Sequence, residues 1–404
     1  MGHLSAPLGL DPDTLCAGLG IGGGDGEPLV TPLIQSTTFC RDKVGSNAPH
    51  QYSRVSNPTV AALERALGAL ENAPPAVAFA TGLAAETALF LSLLNSGDHV
   101  VCGRTVYGGT TRLLQQLLPD FGITTTFVDS TDLHPVRLAI RPSTRLVFIE
   151  TPANPTLDIT DIRSVADIAH AAGALLAVDN TFLTPILQQP LDLGADISVY
   201  STTKFIEGHS VALGGSLVSR DPTLLERFRF IRKCTGAIQT PFNAWLTLNG
   251  LKTLPLRLRR QSESAEIIAR WLADRDEISR VYYPSLSICT SRSLIERQHL
   301  GFHGAVISFE LTGGIESARR FAESLERCAL VEHVGSVSTL ITHPASMTHA
   351  DISVDERLDV GITDGLLRLS IGLESPGAII ADLERALASV NVGRGEVLTC
   401  AATH

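Results

Sequence analysis

The feature that most constrains the fold is a regular alternation of short apolar runs and helical stretches between about residues 55 and 250. The apolar runs have the length and hydrophobicity of buried strands and cover residues 99–103, 145–151, 174–180, 195–201 and 214–219. Residues 84–97 and 163–173 lie between them, with apolar side chains at helical spacing and a glycine at the end. Strands that are buried on both faces and separated by helices form mostly parallel sheets. This half of the chain therefore predicts an α/β fold.

The pattern changes after residue 250. The Arg-rich segment 254–275 predicts one long helix, and the strand-like runs 304–311 and 365–373 flank a helical stretch at 317–328. We interpret this part as a smaller α+β domain. The first 50 residues are rich in Gly and Pro and lack periodicity, which is typical of an extended arm. The predicted division is an arm at 1–50, a large domain at 51–250 and a C-terminal domain at 251–404.

Composition and charge narrow the class of protein. Charged residues make up 18% and the formal net charge is -10, with no block of Lys or Arg, so a nucleic-acid partner is not expected. The apolar runs are far shorter than the roughly 20 residues of a membrane-spanning helix, and the N-terminus lacks the apolar segment of a secretory signal. The seven cysteines have neither metal-site nor CxxC spacing, which is typical of reduced thiols. We expect a soluble cytoplasmic protein without membrane contact.

Lysine is rare in this sequence, and one lysine stands in an unusual context. The chain has four lysines against 28 arginines. Lys204 follows the apolar run at 195–201 and is preceded directly by two threonines. A lysine amine can lose its proton and attack a carbonyl carbon, which the guanidinium group of arginine cannot do in practice. Lys204 is therefore a candidate nucleophile.

Other polar residues end the neighbouring apolar runs. Asp179 lies at the end of one run, and Glu150 and Asn154 lie at and just after the end of another. Ligands of open α/β sheets bind beyond the carboxyl ends of the strands, so we expect these groups near Lys204. Pyridoxal phosphate (PLP) needs a lysine for its carbonyl group and an aspartate for its pyridinium nitrogen. The spacing alone fits an ordinary ion pair between Asp179 and Lys204 equally well.

PLP also needs hydrogen-bond donors for its phosphate. A Thr-Gly turn at residues 81–82 opens the helical stretch at 84–97, and the free N–H groups at a helix N-terminus bind anions. Ser201 and Thr203 add two hydroxyl groups close to Lys204. A simple helix cap explains the same Thr-Gly turn without any ligand.

Six motifs together resemble the Cys/Met-metabolism family of PLP-dependent enzymes. They read QYSRVSNPT, YGGT, ETPANPTLDITDI, AVDNTF, SVYSTTKFIEGHS and HPASMTH, and they follow the family's order between about residues 30 and 390. The resemblance implies a fold-type I, aminotransferase-like subunit with a mostly parallel, seven-stranded type of sheet in the large domain. It also implies a homotetramer built from two active dimers. The family includes cystathionine γ-synthases, cystathionine γ-lyases, methionine γ-lyases and homoserine-ester sulfhydrylases.

The resemblance implies a role for each matching residue around the cofactor. Lys204 would hold PLP and then move protons between the substrate α-carbon and the cofactor. Asp179 would pair with the pyridine nitrogen, and Tyr107 would stack on the ring and exchange a proton with the leaving group. The groups implied for the phosphate are the backbone amides of Gly82 and Leu83 and the hydroxyls of Ser201 and Thr203.

The remaining implied contacts involve a neighbouring subunit and the amino-acid substrate. Tyr52 and Arg54 would reach the phosphate bound by the neighbouring subunit, which makes the dimer obligatory for activity. Asn154 would touch the cofactor, and Arg368 would bind the substrate carboxylate through two hydrogen bonds.

Departures from the family pattern bear on the substrate. Relatives that act on cystathionine commonly have Glu at two positions where this chain has Gln51 and Ser338. Both changes remove a carboxylate that could meet a distal ammonium group. Thr339, which follows Ser338, is a candidate substrate contact. Arg112 is kept and could bind a distal carboxylate. Signals from the methionine γ-lyase subgroup conflict, because Lys233 matches that subgroup whereas Cys234 replaces its next residue, an acid.

The resemblance implies γ-elimination from a sulfur amino acid, which is L-methionine, homocysteine or cystathionine. The departures favour a small or uncharged substrate, such as methionine or homocysteine, over cystathionine. The products would be 2-oxobutanoate, ammonia and a thiol. Elimination and replacement share their catalytic residues, so γ-replacement of the cystathionine γ-synthase or O-acyl-homoserine sulfhydrylase type stays open. A catalytically idle PLP-binding scaffold is a third interpretation, although the intact Lys204, Asp179, Tyr107 and Arg368 argue against it.

Two other patterns are similar to known kinds of ligand site. Residues 18–26 contain GxGxxG, but no strand precedes it and no helix follows it, so a dinucleotide site is not expected. His343 and His349 lack the ligand spacing of a zinc site. We expect no metal centre.

Overall fold

The computed structural model describes residues 10–20, 24–287, 292–350 and 353–400, with the backbone alone for 391–400. Part of the glycine-rich segment 18–26 and Cys289 lie outside the described residues. The chain divides into two compact units. The first comprises the described residues of Met1–Thr151 and Thr160–Leu256, and the second those of Pro152–Ile159 and Arg257–His404. The predicted division at residues 50 and 250 stays a prediction.

The first unit contains a seven-stranded sheet, which confirms the predicted α/β class. Its strands are β1 (Val77–Phe79), β2 (His99–Gly103), β3 (Thr124–Val128), β4 (Thr144–Glu150), β5 (Leu175–Asp179), β6 (Ile197–Tyr200) and β7 (Gly215–Val218). Their order across the sheet is β1-β7-β6-β5-β4-β2-β3. The five strands from β6 to β3 are mutually parallel, and β7 pairs antiparallel with both β6 and β1. A mostly parallel sheet is therefore present.

Both faces of this sheet are buried, as the continuous apolar runs predicted. Alternate residues of one strand point to opposite faces, so Val100 and Cys102 belong to one hydrophobic cluster and Val101 to the other. The helices of this unit are α1 (Pro12–Ala17), α2 (Pro58–Leu70), α3 (Gly82–Leu93), α4 (Gly108–Arg112), α5 (Leu133–Ala139), α6 (Ile162–Ala171), α7 (Thr184–Leu187), α8 (Pro222–Thr235) and α9 (Pro241–Leu251). Among the described helices, none is long and apolar enough to cross a bilayer.

The sequence analysis did not predict strands β1 and β3. β1 has only three residues, which is too short for a periodicity signal. β3 reads TTTFV, and its first four residues are exposed or half-buried because it lies at the edge of the sheet. Threonine favours strands through its branched side chain, but its hydroxyl group hides that preference from an analysis based on apolar runs.

The second unit is the smaller α+β arrangement predicted from the change in pattern. Its helices are α10 (Leu254–Ala273), α11 (Arg292–Gln298), α12 (Gly314–Ser324), α13 (Val354–Asp359) and α14 (Pro376–Cys400). Its strands are β8 (Ile278–Tyr282), β9 (Val306–Leu311), β10 (Ala329–Leu330), β11 (Leu340–Thr342) and β12 (Leu366–Ser370), in the order β10-β11-β12-β9-β8. All neighbouring pairs are antiparallel except β10 and β11.

Candidate active site

The N-terminus of α3 presents two unpaired backbone donors at the carboxyl edge of the large sheet. Thr81 caps the helix, and its hydroxyl oxygen accepts a hydrogen bond from the Ala84 N–H (3.0 Å). Among the described residues, the N–H groups of Gly82 and Leu83 have no hydrogen-bond acceptor. Such groups, at the positive end of a helix dipole, bind phosphate well.

Ser201 lies directly beside this helix start. A Cβ atom on Gly82 would lie 3.0 Å from the Ser201 Cβ and 3.1 Å from its Oγ, so glycine permits the close approach. The Thr203 hydroxyl donates to the Gly214 carbonyl (3.0 Å) and accepts from the Gly214 N–H (3.0 Å). The structure thus brings Gly82 and Ser201 together, whereas it engages Thr203 with the backbone of Gly214.

Lys204 lies in the turn that follows β6 and is half-buried. Its N–H donates to the Ser201 carbonyl (3.2 Å), and its own carbonyl accepts from the Gly208 N–H (2.8 Å). The buried carboxylate of Glu207 accepts hydrogen bonds from the backbone N–H groups of His209 (3.0 Å) and Val211 (3.2 Å). These bonds fix the backbone on both sides of the lysine, next to the Ser201 position.

Asp179 is the last residue of β5, and its carboxylate is buried with a backbone donor. Its Oδ1 accepts a hydrogen bond from the Thr181 N–H (2.9 Å). Burial raises the pKa of Asp179 to about 6, although the hydrogen bonds from Thr181 lower it. Among the described residues no cation is ion-paired with this carboxylate. A buried carboxylate of this kind is stabilised by a cationic ligand group.

Tyr107 immediately precedes α4, and its side chain is 44% exposed. Its backbone N–H donates to Oε2 of Glu150 (2.7 Å), the last residue of β4, which lies opposite Asp179 in the β4–β5 register. A Cβ atom on Gly109 would lie 2.5 Å from Tyr107 Cε1 and 3.0 Å from Leu83 Cδ1. The Tyr107 ring and the Leu83 side chain therefore both contact the backbone of Gly109, close to the start of α3.

The sequence analysis missed Glu86, which lies one turn into α3. Its side chain is 3% exposed, and its Oε2 accepts a hydrogen bond from the Thr110 hydroxyl (2.7 Å). Burial, followed by the charge of Asp179, raises the pKa of Glu86 to about 8. A signal was present, because Glu86 is the one charged residue between residues 82 and 97. Charged residues are almost never fully buried without a partner or a function.

Tyr52 and Arg54 form a separate pair on the first unit. The Arg54 Nη1 donates to the Lys233 carbonyl (2.9 Å), and its guanidinium carbon lies 5.3 Å from the centre of the Tyr52 ring. Both side chains are exposed. Neither is hydrogen-bonded to the Gly82–Ser201 position among the described residues, so their action on a neighbouring subunit stays a prediction. Arg112, the last residue of α4, is also exposed.

The second unit contains a buried polar pair, Asn154 and Arg368, whose members lie far apart in the sequence. Arg368 on β12 donates from Nη1 to Oδ1 of Asn154 (2.6 Å) and from Nη2 to the Thr342 hydroxyl (3.2 Å). Both Asn154 and Arg368 are 4% exposed. Asn154 was predicted to touch the cofactor, and its contact in this structure is the Arg368 guanidinium. The amide oxygen holds one edge of the guanidinium and so restricts its orientation.

Thr339 is buried in the second unit, and its polar groups are all engaged. Its N–H and its hydroxyl donate to Oε1 and Oε2 of Glu374 (2.8 Å each), and the hydroxyl accepts from the Gly372 N–H (2.9 Å). The side chain therefore ties two loops together, and its predicted role in substrate binding stays a prediction. Within the described ranges no three His, Cys, Asp or Glu side chains are grouped as a metal site would require.

Comparison with known proteins identifies the family of this chain. The family model described as Cys/Met metabolism PLP-dependent enzyme matches residues 22–388. The chain belongs to this PLP-dependent family. Cystathionine γ-lyase of Bacillus subtilis is 43% identical over 89% of this chain and 94% of its own length. L-methionine γ-lyase of Fusobacterium nucleatum subsp. polymorphum is 41% identical over 90% of this chain and 94% of its own.

The fold agrees with solved structures of the family. A crystal structure of cystathionine γ-synthase from Xanthomonas oryzae pv. oryzae has a TM-score of 0.92 at 40% identity, covering 95% of this chain and 99% of that one. The predicted fold-type I subunit and the predicted family are thus both confirmed. These relatives include lyases and a synthase, so the family and its cofactor are established and the exact reaction is not decided by similarity.

The residues of the first unit fit PLP. The Gly82 and Leu83 N–H groups and the neighbouring Ser201 suit a phosphate, and the buried, cation-free Asp179 carboxylate suits a pyridinium nitrogen. Bound PLP supplies an electron sink for the bonds of the substrate α- and β-carbons. Lys204 would hold the cofactor and exchange protons at the substrate α-carbon, because lysine is the one amine that the motif offers.

Proposed function

We propose that this enzyme carries out γ-elimination from a sulfur amino acid with an uncharged distal group, such as L-methionine or homocysteine. In this reaction the Cγ–S bond breaks and the sulfur leaves as a thiol, or as hydrogen sulfide when the substrate is homocysteine. Water then completes the conversion to 2-oxobutanoate and ammonia. The observation that carries the proposal is the absence of a carboxylate at positions 51 and 338.

Gln51 illustrates the change in chemistry. Its Oε1 accepts a hydrogen bond from Arg41, and its Nε2 donates to the Ala48 carbonyl (3.4 Å), so the neutral amide is held within its own chain. Ser338 is exposed, and its N–H donates to the Ser336 hydroxyl (3.3 Å). Neither residue can neutralise the second ammonium group of cystathionine, and a desolvated ammonium without an anion is costly. A thioether without a distal charge avoids this cost.

In this proposal the residues that match the family motifs have the following roles. Lys204, Asp179 and Tyr107 act at the cofactor, with the backbone amides of Gly82 and Leu83 and the Ser201 hydroxyl as phosphate donors. The Thr203 hydroxyl joins them when it exchanges its bond to the Gly214 carbonyl for one to the phosphate. Arg368, oriented by Asn154, binds the substrate carboxylate through its guanidinium group. Lys204 first removes a proton from the substrate α-carbon, and loss of a β-proton then allows expulsion of the γ-sulfur.

We further propose a homotetramer in which Tyr52 and Arg54 of one subunit complete the phosphate site of its neighbour. Both side chains are exposed on this chain, which leaves them accessible to a second subunit. We also propose a cytoplasmic location. Five cysteines whose side chains the structure describes are free thiols, as is typical of proteins in a reducing compartment.

A second candidate is γ-replacement, in which a nucleophile rather than water completes the reaction. Arg112 favours it, because an exposed guanidinium at the end of α4 could bind the distal carboxylate of cystathionine or of an O-succinyl ester. The structural similarity to cystathionine γ-synthase is in keeping with this alternative.

The deciding experiment supplies the purified, PLP-loaded protein with L-methionine, with homocysteine or with L-cystathionine, in the absence of any acceptor, and measures 2-oxobutanoate. Release that is faster from L-methionine or homocysteine than from L-cystathionine supports the proposal. Turnover of O-acyl-homoserine that strictly requires an added thiol, with no release from the three sulfur amino acids, contradicts it and establishes γ-replacement.

A matched variant tests the observation that carries the proposal. Gln51→Glu restores a carboxylate of nearly the same size and should raise kcat/KM for L-cystathionine relative to L-methionine by about 10-fold, the effect of roughly 1.4 kcal/mol from one new ion pair. Gln116→Glu serves as the control, because Gln116 is exposed on the same unit and belongs to none of the family motifs. An unchanged ratio in Gln51→Glu would remove position 51 from the account of specificity.

A further inference from the structure

Two buried carboxyl groups hold the turn that contains Tyr107. The Tyr107 N–H donates to Glu150 Oε2 (2.7 Å), and three residues later the Thr110 hydroxyl donates to Glu86 Oε2 (2.7 Å). The Thr110 N–H also donates to the Tyr107 carbonyl (2.9 Å), so the two anchored residues form one rigid turn. Glu86 therefore fixes α4, and with it Tyr107, to the first helical turns of α3.

The one charge that shifts the pKa of Glu86 is that of another carboxylate, Asp179. Asp179 on β5 acts on Glu86 through its charge, and Glu86 and Glu150 act in the same way on Cys102 on β2. Burial, followed by these two charges, raises the pKa of the Cys102 thiol. Thr110 faces Glu86 from α4. Among the described residues, neither Glu86 nor Asp179 has an ion-pair partner.

Two neighbouring carboxyl groups buried without a cation do not both stay ionised, because each charge destabilises the other. The Thr181 N–H and hydroxyl both stabilise the ionised form of Asp179, whereas Glu86 accepts a single hydroxyl hydrogen bond. The pKa values follow the same order, at about 6 for Asp179 and about 8 for Glu86. The shared proton therefore resides on Glu86 at neutral pH.

We propose that Glu86 is a positioning residue: as a neutral carboxylic acid bonded to Thr110, it holds the Tyr107 turn and leaves the negative charge of this corner on Asp179. Its effect on turnover rests on the proposed function, because Tyr107 and Asp179 act there on the cofactor. Its protonation and its bond to Thr110 are properties of the chain alone.

The first test measures protonation in the cofactor-free protein by infrared difference spectroscopy at pH 7. The wild-type spectrum should contain a C=O stretching band of a buried protonated carboxyl group that is lost in Glu86→Gln and shifted in Thr110→Val, which removes the hydrogen-bond donor. Ser92→Ala is the control, because its hydroxyl bonds within the same helix, to the Ala88 carbonyl, far from the turn. Absence of a band that Glu86→Gln removes overturns the proposal.

The second test uses the PLP-loaded protein. Glu86→Gln keeps the shape and the neutral acceptor, so the absorbance of the bound cofactor should match that of the wild type and kcat should stay within about 3-fold. Glu86→Ala and Thr110→Val should each lower kcat by about 10-fold and change that absorbance, and Thr110→Ser should restore both. A large loss in Glu86→Gln would mean that Glu86 acts as an anion, which overturns the proposal.

These outcomes are separable from failure of the proposed function. If the protein eliminates no sulfur amino acid, the infrared band and the cofactor absorbance still report whether Glu86 is neutral and whether the Thr110 bond positions the turn. If turnover occurs and the band is absent, the function stands and the assignment of Glu86 falls.

Discussion

Glu64 and Glu86 are both buried glutamates on helices of the first unit, but only Glu64 has a cation beside it. Glu64 forms an ion pair with Arg232 and also accepts a hydrogen bond from the Ala78 N–H (3.0 Å). Arg232 in turn donates to the Ala78 carbonyl (2.7 Å). This corner joins α2, α8 and strand β1 through charges that balance each other.

The corner at Glu86 and Asp179 has the opposite electrostatics. Within the part of the chain that the structure describes, neither of the two buried carboxyl groups has an ion-pair partner, and burial raises the pKa of both. Such an arrangement costs stability in the empty protein, because a buried charge is not compensated. A ligand with a pyridinium nitrogen compensates it. We infer that the balanced pair of Glu64 and Arg232 serves the structure, whereas the corner at Glu86 and Asp179 is where a cationic ligand group would bind.

Changes at the proposed cofactor site should affect activity more than changes at the Glu64–Arg232 pair. The largest loss is expected for Lys204→Ala. Loss of the amine removes the covalent attachment of the cofactor and the base for the α-proton, so activity should fall by at least about 10³-fold. The cofactor absorbance of the wild type should also be lost. Lys43→Ala, at an exposed lysine, is the control and should behave as the wild type. A normal cofactor spectrum in Lys204→Ala would contradict the assignment.

At the balanced corner the same kind of change should affect stability instead. Arg232→Met leaves Glu64 buried without its cation and should lower the free energy of unfolding by about 3–5 kcal/mol, measured from urea denaturation midpoints. The double variant Glu64→Gln with Arg232→Met should recover most of that loss, since no charge then remains buried. If the single variant is as stable as the wild type, the pair contributes nothing and the comparison fails.

The two corners also differ in how far they could be predicted from sequence. Asp179 and Lys204 follow buried strands, and the carboxyl ends of parallel strands lie at one edge of a sheet, so local patterns predict where both residues lie. Their roles at a cofactor are implied only by the resemblance to the family. Glu86, Thr110 and the Tyr107 turn come together only through tertiary packing of α3 against α4. A glutamate within an apolar helix indicates a buried carboxyl group, but it does not identify the partner. The partner of Glu86 is Thr110, which lies 24 residues away in the sequence.

The second unit shows the same limit. The strand-like run at 365–373 predicted β12, and the resemblance assigned Arg368 to the substrate. The contact of Arg368 with Asn154 joins residues 214 positions apart, and residues 152–159 belong to the second unit although their flanking segments belong to the first. No local pattern reports such an exchange, because strand and helix periodicities reflect only neighbours along the chain.

A pH dependence of stability sharpens the contrast between the corners. The pKa of Asp179 is raised by burial from its ordinary value of 3.8 to about 6, so the folded protein binds a proton more tightly than the unfolded chain. The contribution of Asp179 to the stability of the cofactor-free protein should therefore fall as the pH rises from about 4 to about 6 and remain lower above that range.

Asp179→Asn should remove this loss and stabilise the cofactor-free protein at pH 7 by about 2–3 kcal/mol, while it lowers activity in the PLP-loaded enzyme by about 10- to 100-fold. Thermal unfolding between pH 4 and pH 8 measures the first effect. Asp120→Asn, at an exposed carboxylate, should leave the pH profile unchanged. If the variant is less stable than the wild type at pH 7, the charge of Asp179 is compensated by other groups in the cofactor-free protein, which contradicts the prediction.

The smallest effect is expected for an ion pair outside both corners. Arg104 and Asp129 approach to 2.8 Å at the surface, with side chains 44% and 36% exposed. Because water screens this pair, Arg104→Ala should change the free energy of unfolding by less than about 1 kcal/mol and should leave kcat unaltered. A loss of stability as large as that of Arg232→Met would show that solvent exposure does not determine how much an ion pair contributes. The ranking of Arg232 above Arg104 then tests whether burial, rather than the presence of opposite charges, decides what a carboxylate contributes in this unit.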